Sequence, residues 1–169
     1  MPTADPARAP KPDSMHLRVA AVGQRMPDWV SSAWTDYSRR LPPTLGLQLR
    51  EIPVAHRGRN ADIERLRKQE SKALLAAASG MRTVALEQKG SAWSTADLAR
   101  RLERWMQEGQ DICFLIGGPD GLGAECLDRV ELKWSLGPLT LPHALVRVVL
   151  AEQLYRAWTV LQNHPYHRA

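Results

Sequence analysis

The segment Asn163-His164-Pro165-Tyr166-His167-Arg168 brings two imidazoles, a phenol and a guanidinium together at the carboxyl end of the chain. An imidazole titrates near neutrality and can move a proton. A phenol stacks on planar groups, and its hydroxyl both donates and accepts. A guanidinium grips phosphate or an oxyanion with a fixed fork of donors. The set suits proton transfer on a planar, phosphate-bearing substrate. The same residues also read as a helix stop, with Pro165 ending the helix and the cations complementing its negative end.

Further polar candidates lie just upstream. Glu152 and Arg156 are four apart, so on a helix they pair on one face. Arg147 reads as part of a solvated face. His143, His164 and His167 lack the carboxylate or cysteine spacing that would complete a metal site, so no metal is expected. Gly117-Gly118-Pro119-Asp120-Gly121 follows an apolar run, where glycine lets backbone approach a ligand or make a tight turn. It is neither a Walker A loop nor a dinucleotide fingerprint. Leu136-Gly137-Pro138-Leu139-Thr140-Leu141-Pro142-His143 is an apolar loop, stiffened by its two prolines, that could face a purine ring. The loop His56–Arg59, with Arg65, Arg67 and Lys68 after it, could hold phosphates in a salt-sensitive way or form a solvated face.

These candidates need a frame. Strands are expected at His16–Val22, Leu45–Leu49, Thr83–Leu86, Asp111–Ile116 and Lys133–Ser135. Helices are expected at Pro27–Leu41, where Trp29, Ala33, Trp34 and Tyr37 share helical spacing, and at Ala61–Ala78, capped by Asn60. Three more are expected: from a capping box at Ser94–Asp97 to Glu108, at Ala124–Val130, and at Pro142–Gln162, with Leu150, Leu154, Trp158 and Leu161 on one face. Alternating strands and helices predict an α/β fold, a mostly parallel sheet with helices on both faces. Ligands in such folds bind at the carboxyl ends of strands, which selects the loops after Leu86, at Gly117–Gly121 and at Leu136–Leu141.

Composition bounds the rest. The chain has 169 residues, enough for one domain with a real core. Residues 1–14 hold four prolines and few apolar residues, which predicts a disordered extension before a single domain over 15–169. Met15 opens the first strand-like run and is a candidate alternative start. Two cysteines are too few for a disulfide framework, and no signal or membrane segment is evident, so a reduced cytoplasmic setting is expected. The net charge of +5 favours a polyanionic partner. Val22-Gly23-Gln24-Arg25-Met26 lacks the later glycines of a Rossmann turn, which argues against a nicotinamide enzyme.

Several segments together carry a family resemblance. They are Val22-Gly23 with Met26-Pro27-Asp28-Trp29, Arg57–Ile63, Leu115–Gly121, Leu139–His143, Ala151-Glu152, Leu154–Trp158 and Asn163–Arg168. In this order the chain resembles the SPOUT, or trefoil-knot, methyltransferases, and among them the family that N3-methylates a pseudouridine of large-subunit ribosomal RNA. The resemblance covers Met15 to Arg168. It implies a homodimer, S-adenosylmethionine as donor, the assembled ribosome as substrate and a carboxyl-terminal knot around the cofactor. By matching positions the cofactor contacts fall on Leu86, Gly117 and Leu136, Gly137, Pro138, Leu139, Thr140 and Leu141. The family pattern commonly has Ser-Ala where this chain has Gly137-Pro138, and proline removes an N–H donor there. The resemblance gives the tail a role in the active site, its own or the partner's. His167 is the first candidate for the base, Tyr166 for stacking, and Arg168 and Arg156 for phosphate or a developing oxyanion. The competing expectations are a non-catalytic RNA-binding module and a SPOUT enzyme acting on another RNA.

Overall fold

The computed structural model describes residues 14–168, so nearly all of the proline-rich extension lies outside the described residues. The chain runs β1 (Leu17–Val22), α1 (Asp28–Arg40), β2 (Leu47–Ile52), α2 (Ile63–Ala77), β3 (Arg82–Ala92), α3 (Thr95–Glu108), β4 (Ile112–Ile116), α4 (Ala124–Arg129), β5 (Leu132–Ser135) and α5 (His143–Leu161). A 3₁₀ turn at Pro165–Arg168 follows α5. The strands form one sheet in the order β2-β1-β4-β3-β5, and every pairing is parallel.

The central strand explains why helices cover both faces. All five residues of β4 are buried. Alternate side chains leave a strand on opposite faces. Ile112, Phe114 and Ile116 enter one core with Leu98 and Leu102 of α3 and Leu150 and Leu154 of α5. Cys113 and Leu115 enter the other with Leu74 of α2 and Cys126 of α4. A strand apolar on both sides cannot face water on either, so each face takes a helical layer. An aromatic ladder crosses the first core. Trp93 stacks on Trp134 at 4.9 Å, and Phe114 sits between Trp134 and Trp105 at 6.1 and 6.2 Å.

Some boundaries differ from the sequence reading. Leu45 belongs to a 3₁₀ turn, and β2 extends to Ile52 because its six residues register against β1. The second helix starts two residues late. Ala61 N–H donates to Gly58 O, closing a turn through Asn60, and Asp62 caps the helix instead. The Ser94 capping box is present, with Asp97 as its reciprocal partner. Of the residues at helical spacing on α1, Trp34 is buried and Trp29 is 57% exposed.

The largest departure is in β3. It does not end at Leu86. Its pairing with β5 shifts register between Leu86 and Ser91, and it resumes at Trp134 and Ser135. Glycine makes the close return feasible. A Cβ on Gly90 would stand 2.6 Å from Lys133 C and 2.8 Å from Trp134 N, both backbone atoms that cannot yield cheaply. Gly90→Ala should therefore destabilise the protein by about 1–3 kcal/mol in urea unfolding, the usual cost of overpacking. Gly58→Ala, in open space, should leave the unfolding midpoint unchanged.

Candidate active site

A cavity of about 400 Å³ opens at the carboxyl ends of β4 and β5 and beside the irregularity in β3, within the range of small-molecule sites. Its wall takes Leu86 with Glu87 and Gln88 from the β3 irregularity, Gly117 with Gly118, Pro119 and Gly121 after β4, and Leu136, Gly137, Leu139, Thr140 and Leu141 after β5. The three loops selected from the sequence thus meet in one place. Pro138 is the exception. It does not line the cavity. Gly137 beside it takes φ +127°, a conformation that favours glycine.

Each loop is fastened. Gly121 N–H donates to Gly118 O at 3.0 Å, closing the turn after β4. A Cβ on Gly117 would lie 2.7 Å from the Gly121 carbonyl carbon, so the turn itself demands glycine at 117. Gln88 Nε2 donates to Thr140 Oγ1 at 3.1 Å, tying the β3 irregularity to the loop after β5. Ser135 Oγ accepts from Gly137 N–H at 3.2 Å.

Sequence reasoning missed several contributors. Trp134 lines the cavity, is 2% exposed, and its indole N–H has no partner among the described residues. Nothing in a four-residue strand singles it out. Val146 of α5 is another, while His143, the end of the apolar loop read from the sequence, does line the wall. Burial, and then the nearby Arg147 guanidinium, push the His143 imidazole below its ordinary range, so it is neutral at physiological pH.

Arg147 corrects the sequence reading outright. It is 1% exposed, not solvated. Nη1 donates to Glu51 Oε2 at 2.9 Å and Nη2 to Gly23 O at 2.7 Å. These bonds fasten the first turns of α5 to the ends of β2 and β1. A buried cation is costly unless its donors are met, and the partners satisfy both terminal nitrogens.

The carboxyl-terminal residues form a second constellation. Glu152 Oε1 accepts from Arg156 Nε at 2.8 Å and from the Tyr166 hydroxyl at 3.0 Å. The Tyr166 ring meets Tyr155 edge-on at 4.6 Å and lies under the Arg156 guanidinium at 5.0 Å. Burial first, then hydrogen bonding to Tyr37 and Glu152, raises the Tyr166 hydroxyl well above its ordinary value, so it stays a neutral phenol. His167 is half-buried, and its Nδ1 has no hydrogen-bond partner. Arg168 is exposed.

None of Arg156, Tyr166, His167 and Arg168 lines the cavity. The cavity meets α5 at Val146, while the tail docks six residues on at Glu152, roughly 9 Å further along the axis at 1.5 Å per residue. The two sets of candidates occupy different stretches of one helix. No group of His, Cys, Asp and Glu able to hold a metal occurs among the described residues. The basic loop does not present all its cations either, because Arg57 is engaged by Glu70 and Asp120.

Residues 15–167 match the family model described as "Predicted SPOUT methyltransferase". The chain is 53% identical over 155 residues to the ribosomal RNA large subunit methyltransferase H of Azotobacter vinelandii, covering 91% of this chain and all of that protein. In fold it is similar to a probable methylase family protein from Haemophilus influenzae Rd KW20, with a TM-score of 0.55 at 13% identity, over 89% of this chain and 69% of that one.

The Arg147 clamp yields an asymmetric prediction. Glu51→Ala strands a buried cation and should cost about 3–5 kcal/mol in urea unfolding. Arg147→Met leaves Glu51, whose side chain is 36% exposed and can rehydrate, and should cost clearly less. Equal losses would mean the pair does not carry the docking of α5.

Proposed function

Because the chain belongs to the SPOUT methyltransferase family, we propose that it transfers a methyl group from S-adenosylmethionine to N3 of a pseudouridine in large-subunit ribosomal RNA. The large-subunit ribosomal RNA rests on the name of the Azotobacter relative, and the pseudouridine N3 on the resemblance read from the sequence. The observation that carries the chemistry is the single cavity built from three loops distant in sequence. A non-catalytic RNA-binding role would leave that cavity without a use. The net charge of +5 suits an RNA partner. We take residues 15–169 as one methyltransferase domain, with the knot of its family, acting as a homodimer on the assembled ribosome in the cytoplasm. No helix among the described residues is long and apolar enough to cross a membrane.

The residues present fit the cofactor. The cavity combines apolar walls at Leu86, Leu136 and Leu141 with close backbone at Gly117, where a Cβ would collide with Gly121. When bound, S-adenosylmethionine supplies an electrophilic methyl group on a sulfonium. The protein's share is to orient the two reactants, worth roughly 7–11 kcal/mol at the ideal limit. N3 of a pseudouridine carries a proton that must leave before it becomes a good nucleophile. His167 takes that proton in this account. Tyr166, kept neutral, stacks on the base or donates to it. Arg156 and Arg168 hold phosphate or the oxygen that gains charge.

Because the tail docks away from its own subunit's cavity, the composite site is completed across the dimer, one protomer giving the cavity and its partner the tail. Methyl transfer from labelled S-adenosylmethionine should label assembled ribosomes at a pseudouridine, and free ribosomal RNA far less. Absence of cofactor binding would overturn the reading. His167→Ala should retain cofactor affinity and lose about 10²–10⁴ in kcat. Parallel loss of affinity would make the residue structural.

A further inference from the structure

We propose that Arg57 is a positioning residue that holds the glycine loop of the cavity in its ligand-ready form. The proposal rests on the reading of that cavity as the S-adenosylmethionine site. Arg57 belongs to the connection between β2 and α2 and does not line the cavity. Its Nε and Nη2 both donate to Asp120 Oδ2, at 2.9 and 2.7 Å. Asp120 lies between Pro119 and Gly121, which do line it. On its other side Nη1 donates to Ala55 O at 2.9 Å and pairs with Glu70 Oε1 at 2.8 Å.

Glu70 is what makes this an anchor rather than a surface pair. Its side chain is 2% exposed. Oε1 also accepts from Ala55 N–H at 3.2 Å, which fixes the start of the basic loop to α2. Its other oxygen, Oε2, is buried without a hydrogen-bond partner and lies 3.1 Å from where a Gly118 Cβ would be. The glycine loop therefore lies close to the Glu70 carboxylate at Gly118 and is gripped by Arg57 through Asp120. A surface ion pair is worth little, but a forked, partly buried guanidinium between two carboxylates fixes geometry. Lysine, a point charge, cannot make both contacts in this form.

The experiment measures S-adenosylmethionine affinity by calorimetry, and KM and kcat on ribosomes, for Arg57→Ala, Asp120→Asn and the double variant. Arg57→Ala should weaken affinity and raise the cofactor KM about tenfold while kcat at saturation stays within about threefold. Asp120→Asn should do the same, and the double variant no more than either. Arg104→Ala, removing an exposed charge on α3, should leave affinity unchanged. Unchanged affinity in Arg57→Ala, or additive losses in the double variant, would overturn the proposal. If Arg57→Ala fails to fold, Asp120→Asn at the partly exposed turn decides alone, loss supporting and no change overturning it. A wild-type chain that binds no S-adenosylmethionine would overturn the function proposed above, and this with it, whereas normal binding in both variants would overturn this inference only.

Discussion

The guanidinium of Arg147 is buried, and much of the site follows from that constraint. A cation there must be answered by fixed acceptors. Glu51 and the Gly23 carbonyl answer it, from the ends of two adjacent strands. Helix α5 is thereby seated with its first turns over the carboxyl end of the sheet. His143 and Val146 on those turns become cavity wall, and the same guanidinium helps keep His143 neutral. Further along, Leu150 and Leu154 lock the helix into the core, and its last turns carry Glu152 and Arg156 to the tail. One helix thus connects the ligand cavity to the terminal constellation.

The cavity itself depends on backbones coming closer than side chains allow. At Gly117 and Gly90 a Cβ would collide with backbone within 2.7 Å. The first approach makes the turn after β4, and the second lets β3 return to β5 after the irregularity that supplies Glu87 and Gln88. Side-chain bonds then join the loops in pairs: Gln88 to Thr140 across the top, and Arg57 to Asp120 at the side.

How much of this the sequence carried depended on the range of the interaction. The apolar run of β4 and the capping box at Ser94 are local, and the parallel sheet with helices on both faces was legible from them. Carboxyl ends of strands then pointed to the three loops that meet at the cavity, and family resemblance pointed to the same positions. What was illegible was non-local. Arg147 reads as solvated because its acceptors lie 96 and 124 residues away. The β3 irregularity depends on pairing with β5, so a strand judged alone stops at Leu86. Asn60 reads as a cap until the turn at Gly58–Ala61 is seen to absorb it. The tail was recognised as chemically dense, but its separation from the cavity along α5 needed coordinates.

That separation is central to the account, because cavity and tail must meet across two subunits for the proposed chemistry to proceed. The most direct measurement mixes two inactive variants. A cavity variant, Gly117→Ala, is co-refolded or co-expressed with a tail variant, His167→Ala, and methyl transfer to ribosomes is measured. The account predicts that activity returns, since each mixed dimer holds one intact cavity faced by one intact tail. A mixture confirmed to contain mixed dimers yet inactive would contradict it and return the tail to its own subunit's cavity.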